Sequence, residues 1–532
     1  MPRVSVLMPL FNGKSFIEES LRSVQAQTFT DWELIIVNDY GSDDGCADIV
    51  RAYAAKDPRI KLIQCTERLG IAASLNNGLD AAVGEYVARV DVDDPSVPER
   101  LEKQVAFMDA HPELVLCSCK ERTITPKGTS IENLPTDPEE VKAAMLFGNE
   151  ITHGGVMLRR ASLIEHNWRY NESYVVEDYE LWCRILHDGG RMANIPEPLV
   201  TRRCGVGDSA GTKTNRWARL ERESWKLSAN NFNDLGIDTT RYSQYLFYGW
   251  RNRPEKYARQ HREEFLRQGA ALLAELIEKN NEAQIYDSVT LRKIVRLRWN
   301  WVQQCCGLPT TQQSDVPVQI IADGPLVSVV LPTFNSAQDV SRAIDSVIAQ
   351  TYINWEILVI NDDGSNDGTA EIVKMYGLLD PRIHLIQAEQ RLGLAESLNL
   401  GIRQAHGKYI ARLDADDTSH PTRFAKQVAL MESQPDVGIC GTWQHHYGPN
   451  SDWVHRATAD EQLLRCRLIF WCDLCHSTLM LRRSTFIEHE LFFDNTRFAE
   501  DYELWTRAMF VTRIVNIPEV LGEYYEGTSN IT

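Results

Sequence analysis

The amino-acid sequence predicts an α/β protein in which one domain, a mostly parallel sheet between helices, is built twice. Three observations predict it. Short apolar strands alternate with helical stretches, the whole alternation recurs 323 residues further on, and the most chemically suggestive polar residues fall where strands end.

In the first copy, Val4–Met8 is a continuous apolar run of strand length, and Ser15 to Gln27 has helical spacing of its apolar residues. Glu33–Val37 is a second strand, succeeded by a helix over Asp44 to Lys56. Ile60–Gln64 is a third strand, Ala72 to Ala82 a third helix, and Tyr86–Val90 a fourth strand. Strand–helix–strand repetition calls for a parallel sheet, and ligands of such sheets bind beyond the carboxyl ends of the strands.

The repeat then fixes the organisation. Val4-Ser5-Val6-Leu7-Met8-Pro9-Leu10-Phe11-Asn12 returns as Val327-Ser328-Val329-Val330-Leu331-Pro332-Thr333-Phe334-Asn335. Trp32 and Trp355, Asp91 and Asp414, His153 and His476, Glu177 and Glu500, and Trp182 and Trp505 keep the same spacing. The expected domains are residues 1–215 and 323–532, joined by a helical connector and linker over 216–322. Glu263 to Lys279 and Val289 to Gln303 in the connector have helical spacing, and Leu308 to Pro325 has the composition of a linker.

Composition excludes several classes. The chain has 532 residues, 43% of them hydrophobic, enough to bury large cores. A net charge of −18 repels a phosphate backbone, so no nucleic-acid partner is expected. No apolar run approaches the roughly 18 residues of a membrane span, and the apolar part of Met1 to Pro9 is too short for a signal peptide. The expected location is therefore cytoplasmic, with the inner face of a membrane as an option. Arg292, Lys293, Arg296 and Arg298 beside Trp299 and Trp301 read as a helix packed between domains or as a basic face for peripheral membrane association, the first being favoured. The twelve cysteines lack a disulfide-like rhythm. Cys472-Asp473-Leu474-Cys475-His476 matches a haem-attachment pattern, but Asn149 and Thr152 stand in place of its cysteines in the first copy, so it is read as coincidence.

No Gly-rich dinucleotide fingerprint succeeds the first strand, and no P-loop is present in the sequence. The stretch after the fourth strand is acidic: Arg89-Val90-Asp91-Val92-Asp93-Asp94, matched by Arg412-Leu413-Asp414-Ala415-Asp416-Asp417. Three carboxylates within four residues repel one another, and a divalent cation relieves that repulsion; oxygen ligands suit Mg²⁺ or Mn²⁺. Asn38-Asp39 and Asn361-Asp362 come directly after the second strand, where an Asp either accepts a hydrogen bond from N3–H of uracil or thymine or caps the Gly-Ser turn behind it. Glu177-Asp178-Tyr179-Glu180-Leu181-Trp182 and its counterpart from Glu500 offer acids at a helix start, as caps or, for the Asp, as a general base toward a hydroxyl. His153 and His476 line an acceptor side or are structural.

On these motifs each copy resembles the inverting glycosyltransferase family 2, with its GT-A fold. The resemblance rests on the Val-Ser-Val…Pro…Phe-Asn start, Gln27-Thr28-Phe29 and Gln350-Thr351-Tyr352, the Leu69–Gly78 and Leu392–Gly401 runs, Asp-x-Asp-Asp and Glu-Asp-Tyr-Glu-Leu-Trp. It covers nearly all of both copies and none of the connector. It implies a nucleotide-sugar donor bordered by Pro9, Phe11, Asn12, Pro332, Phe334 and Asn335, with Asp39 and Asp362 on the base. It implies Asp91 and Asp414 at the ribose or metal-linked network, and Asp93 and Asp416 on Mn²⁺ or Mg²⁺. Asp178 and Asp501 would be the catalytic bases, beside Glu177 and Glu500. Two departures stand out. Tyr40 or Asp363 is inserted before Gly-Ser, and the family's terminal Tyr-Arg-x-His is replaced by Arg202-Arg203-Cys204 in copy one and Tyr524-Tyr525-Glu526 in copy two. Copy two thus lacks a phosphate-binding cation there, or the sequence is a piece of a longer one. The expected function is a bifunctional glycosyltransferase that extends a surface or capsular glycan on an oligosaccharide or lipid-linked acceptor. The alternatives are one catalytic copy with one binding copy, and a non-catalytic sugar-nucleotide sensor.

Overall fold

A computed structural model describes residues 1–203, 213–242, 254–308, 320–449, 451–494 and 499–526. The middle of the expected linker, 309–319, lies outside the described residues. The chain forms two compact units: Met1–Arg251 with Lys279–Ile294, and Asn252–Glu278 with Val295–Thr532. The helices Arg262–Ala283 and Ser288–Cys305 each contribute to both.

The first unit is an α/β domain. Its strands are β1 (Val4–Leu10), β2 (Trp32–Asn38), β3 (Ile60–Gln64), β4 (Tyr86–Arg89), β5 (Leu114–Thr125), β6 (Gly128–Ile131), β7 (Met157–Arg159) and β8 (Arg191–Arg203). They run in the order β3-β2-β1-β4-β7-β5-β6, with β8 beside β5. β3, β2, β1 and β4 are parallel, and the antiparallel β7 joins them to the β5–β8 pair. Helices α1 (Ile17–Gln25), α2 (Cys46–Ala54), α3 (Ile71–Ala81), α4 (Arg100–Ala110), α5 (Pro138–Ala144), α6 (Arg160–Glu165), α7 (Glu177–His187) and α8 (Lys213–Asn233) flank it. The seven strand–helix assignments drawn from the sequence for Val4 to Val90 all fall on these elements, within three residues at each end.

Alternation along β1 explains the two-faced core. Val4, Val6 and Met8 pack with α1, α2 and α4 on one face, whereas Leu7 joins Ile35, Val37, Leu75 and Trp182 on the other. Burial on both faces is why these strands read as continuous apolar runs. Ser5, the polar exception, is fully buried but satisfied: its hydroxyl donates to Glu33 (2.5 Å) and accepts from the Gly84 amide (2.9 Å). Pro9 is tolerated in a central strand because β4 pairs β1 only from Val4 to Leu7, so no ladder bond is lost on that side.

The second unit repeats the plan with β9 (Val327–Thr333), β10 (Trp355–Asn361), β11 (Ile383–Gln387), β12 (Tyr409–Arg412), β13 (Thr418–Ser419), β14 (Val437–Gly448), β15 (Ser451–His455), β16 (Met480–Arg482) and β17 (Arg513–Tyr525). Their order is β11-β10-β9-β12-β16-β14-β17-β13, with β15 on β14. The sheet registers correct one expectation. Leu114 pairs with Arg191, but Val437 pairs with Arg513, so copy two is one residue shorter between Trp505 and its last strand. From there Arg202 corresponds to Tyr524 and Arg203 to Tyr525.

The strand order reverses between β1 and β4, and the crevice at their carboxyl ends is where this topology places a ligand. No described helix is long and apolar enough to cross a membrane. The basic connector residues engage protein groups within each unit. Lys293 pairs with Glu140 in the first, while in the second Arg296 pairs with Asp345 and Trp299 is buried against Ser341 (3.3 Å).

Candidate active sites

In the first unit a cavity of about 680 Å³ opens at the end of β4. Asp91, Asp93 and Asp94 line it together with His153, Asp178, Arg202 and Arg203, residues brought from four separate stretches of sequence. Another cavity, of about 760 Å³, lies by Met1–Arg3 and Gly84–Glu85 at the amino ends of the strands, away from these groups.

The acidic loop is anchored by buried arginines. Arg89, on β4, is almost fully buried and its guanidinium pairs with Asp91. Burial works against its charge, but Asp91, Tyr170 and Glu177 more than offset this. Arg100, wholly buried, donates to the Arg89 carbonyl (2.8 Å), to Ser96 (2.9 Å) and to Gln104 (2.9 Å), fixing the point where β4 ends and the loop begins. Arg412 and Arg423 do the same in copy two, with Arg423 donating to the Arg412 carbonyl (2.9 Å) and Ser419 (2.8 Å). Neither arginine was assigned a role from sequence, although both recur at the 323-residue spacing.

Burial, reinforced by the crowding of carboxylates, sets the electrostatics. Burial, then Asp91, Asp93 and Glu121, push the Asp94 carboxyl up to about 8, with Arg89 opposing. In copy two burial, then Asp414, push Asp416 up to about 6, and burial with Asp414 and Asp416 holds Asp417 well above the carboxylate range. Asp417 Oδ1 is buried without a hydrogen-bond partner. These oxygen-only sets fit a hard divalent cation, which would relieve the repulsion and fill the empty acceptor. Among the described residues no group of three or more His, Cys, Asp or Glu side chains is arranged to hold a metal ion.

Asp178 stands in the first turn of α7, where the helix end favours an anion. Burial pushes its carboxyl up; the Tyr179 amide, Arg89 and Asn149 hold it back. Asn149 Nδ2 donates to Asp178 Oδ2 at 2.8 Å. His153 Nδ1 lies 3.8 Å from the same oxygen, and its Nε2 is 3.1 Å from the Tyr170 hydroxyl. Burial and Arg89 keep His153 well below the ordinary histidine range, so it is neutral at pH 7. Glu177 is buried and is not among the cavity-lining residues; it bears on the site through the charge of Arg89. In copy two His476 Nδ1 is 3.6 Å from Asp501 Oδ2, while Cys472 replaces Asn149 and Phe493 replaces Tyr170. His476 Nε2 is accordingly left buried without a partner. Glu500 is only partly buried, at the start of its helix.

Asp39 and Asp362 stand apart from this cavity, at the ends of β2 and β10. Asp39 accepts from the amides of Tyr40 (2.9 Å), Leu69 (2.8 Å) and Gly70 (3.1 Å) and pairs with Arg68 (3.1 Å). Asp362 repeats every one of these bonds with Asp363, Leu392, Gly393 and Arg391. Apart from the amide next to it, each carboxylate thus braces the turn at Leu69–Gly70 or Leu392–Gly393 and not the Gly-Ser turn expected from the sequence, and an incoming N–H would compete with the arginine. That arginine lies 3.4 Å over the ring of Phe11 in copy one and of Phe334 in copy two, leaving a flat, half-exposed face at the crevice lip. Arg68 and Arg391 carried no sequence signal beyond their recurrence. Asn12 and Asn335 adopt positive φ (51° and 50°), and their amide oxygens latch the neighbouring loop through the amides of Asp43 (3.0 Å) and Asn366 (3.1 Å). The residue inserted before Gly-Ser leaves the backbone alike in both copies, with Gly41 at φ 80° and Gly364 at φ 82°.

In copy one, then, an acidic loop at the switch point of an α/β sheet and a helix-borne carboxylate line one cavity. The chain belongs to the glycosyl transferase family 2, whose family model matches residues 5–167 and 328–490, and it is a glycosyltransferase. It is similar along its length to an uncharacterized glycosyltransferase of Rickettsia felis, 26% identical over 95% of this chain and 76% of the relative. The putative glycosyltransferase EpsE of Bacillus subtilis is 37% identical over 37% of this chain and 72% of its own. Among solved structures, Staphylococcus aureus TarS 1–349 in complex with UDP-GlcNAc is 18% identical, covers 57% of this chain and 88% of that one, and has a TM-score of 0.37.

Proposed function

We propose that both copies, residues 1–215 and 323–532, are catalytic, and that the chain is a bifunctional, metal-dependent, inverting glycosyltransferase. The segment 216–322 joins them. The donors are nucleotide sugars, UDP- or dTDP-linked, and the acceptor is a growing surface or capsular glycan, oligosaccharide or lipid-linked. The observation that carries this reading is that Asp178 and Asp91, Asp93 and Asp94 line one cavity in copy one, with these four acids repeated in copy two.

The nucleoside lies at the lip formed by Phe11 with Arg68 and Asp39, and by Phe334 with Arg391 and Asp362. Asp93 and Asp416, beside Asp91 and Asp414, would hold Mn²⁺ or Mg²⁺. When bound, that ion neutralises charge on the diphosphate leaving group. Asp178 or Asp501 takes the proton of an acceptor hydroxyl as its oxygen bonds to the anomeric carbon. The bond from that carbon to the diphosphate breaks on the opposite face, so configuration inverts. Neutral His153 and His476 border the acceptor side. Two sites on one chain raise the local concentration of the growing end for the second step.

Asp178→Asn and Asp501→Asn, each assayed for both transfers, test this. Each should abolish one transfer and spare the other; loss of both from either change overturns two independent sites. The second reading, one catalytic copy and one binding copy, is favoured by Cys472 and Tyr525 replacing Asn149 and Arg203. It predicts that Asp501→Asn leaves all turnover intact while copy two still binds donor.

A further inference from the structure

The cation at the rim of the site has changed sides between the two copies. In copy one Arg203, at the end of β8, lines the cavity and feels the charges of Asp94 and Asp93. It is held by Glu19 of α1 through two hydrogen bonds, at 2.8 and 2.5 Å. The sheet register puts Tyr525 at the place of Arg203, and the 323-residue spacing puts Arg342 at the place of Glu19. The same two positions still touch: the Arg342 guanidinium lies 5.2 Å from the centre of the Tyr525 ring. The helix Val340–Ile348 now carries the positive charge and the strand carries the aromatic platform.

Arg342 is also aimed at the acidic loop. Its Nη2 donates to the carbonyl of Asp416, the counterpart of Asp93, and lies 3.5 Å from Asp339, a carboxylate that stands where copy one has Phe16. Its side chain is 15% exposed. A diphosphate brought to Asp414, Asp416 and Asp417 meets a cluster of carboxylates, to which Asp339 adds one, and a cation at the rim is the group that offsets it. A planar guanidinium backed by an aromatic ring is suited to that task.

We propose that Arg342 is the donor-binding cation of the second site, facing the diphosphate of a nucleotide sugar from the helix rather than from the last strand. This rests on the reading of copy two as a donor site. Tyr524-Tyr525-Glu526 offers no cation on the last strand; the helix offers one in Arg342.

The test uses the full chain with the first site disabled by Asp93→Asn. UDP, dTDP and GDP are titrated calorimetrically with Mn²⁺, with the matching nucleoside as control. The parent should bind one of the diphosphates. Arg342→Ala should weaken that binding at least tenfold and leave the nucleoside unchanged; Arg342→Lys should lose about threefold. The double variant Arg342→Glu with Tyr525→Arg, which rebuilds the copy-one pair and removes the bond to the Asp416 carbonyl, should recover affinity to within about threefold of the parent. Unchanged diphosphate binding in Arg342→Ala overturns the assignment. So does failure of the double variant to recover with its thermal transition intact, since that makes the residue a support for the loop. If the parent binds none of the three diphosphates, the donor reading of copy two fails and this inference with it.

Discussion

Replacing Asn149 by alanine removes the amide that donates to Asp178 Oδ2 at 2.8 Å, and its effect on the proposed base can be sized. Hydrogen bonds to a charged group contribute about 1.5–3 kcal/mol. The Asp178 side chain is 21% exposed, so water replaces part of what is lost and the lower figure, about 1.5 kcal/mol, applies. At 1.36 kcal/mol per unit that is a rise of about one pH unit. The sign comes from the chemistry. The base works ionised, burial already raises its pKa, and Asn149 favours the ionised form. Removing Asn149 therefore moves the acid limb of kcat/KM to higher pH and leaves the alkaline plateau in place. The assay is release of nucleoside diphosphate against pH in a chain carrying Asp501→Asn, so that only copy one turns over. An acid limb that stays put while the plateau falls would refute the argument, because Asn149 would then be a substrate contact and not a support for the carboxylate.

Other consequences are as direct. Arg100→Met strips the Arg89 carbonyl of its buried donor and leaves Gln104 Oε1 and Ser96 without theirs, so the first domain should lose about 3 kcal/mol in urea unfolding. Gly522 stands where copy one has Val200, and a Cβ there would meet Thr478 Cγ2 at 2.6 Å. Gly522→Val should therefore cost about 1–3 kcal/mol. Adding Thr478→Gly, the copy-one residue, should return part of it in the same unfolding experiment. Chelation of divalent ions should abolish nucleoside-diphosphate binding by calorimetry, and Asp93→Asn and Asp416→Asn should each remove one site's share.

The fold was legible because each level of the sequence agreed with the next. Val4–Leu10 and Trp32–Asn38 are buried on both faces, so their apolar runs left no ambiguity, and the repeat doubled every weak motif. The acidic loop and the α7 carboxylate were legible for the same reason. What sequence could not give were partners distant along the chain. Asn149 reaches Asp178 across 29 residues, Arg100 reaches the Val156 carbonyl across 56, and Glu19 reaches Arg203 across 184. Asp39 was legible as an acid at a strand end. Its four bonds depend on how the Leu69–Gly70 turn folds back, and no local pattern encodes that. A constant spacing of 323 also hides the one-residue deletion before β17, which the strand register exposes and which the recurrence of Asn194-Ile195-Pro196-Glu197 as Asn516-Ile517-Pro518-Glu519 carries in the sequence.

That register changes how the two copies compare. Groups that fix the scaffold are kept: Ser5 with Glu33 and Ser328 with Glu356, Arg89 with Arg100 and Arg412 with Arg423, Asp39 with Arg68 and Asp362 with Arg391. Each has buried polar atoms that would be orphaned by a change in its partner, so neither copy could drift alone. Groups at the rim differ: Glu121 against Gln444, Glu132 against His455, Gly154 against Ser477, Asn149 against Cys472 and Arg203 against Tyr525. Two of these changes are matched by a neighbour, whereas Cys472, with Phe493 in place of Tyr170, leaves His476 Nε2 without a partner. Gln444 donates to the Ser477 hydroxyl at 2.6 Å where Glu121 and Gly154 could not bond, and Arg342 meets Tyr525 where Glu19 met Arg203. A copy losing its function would accumulate unmatched changes at its rim. Matched replacement at two independent places accords with the proposal that the second copy is itself a working site.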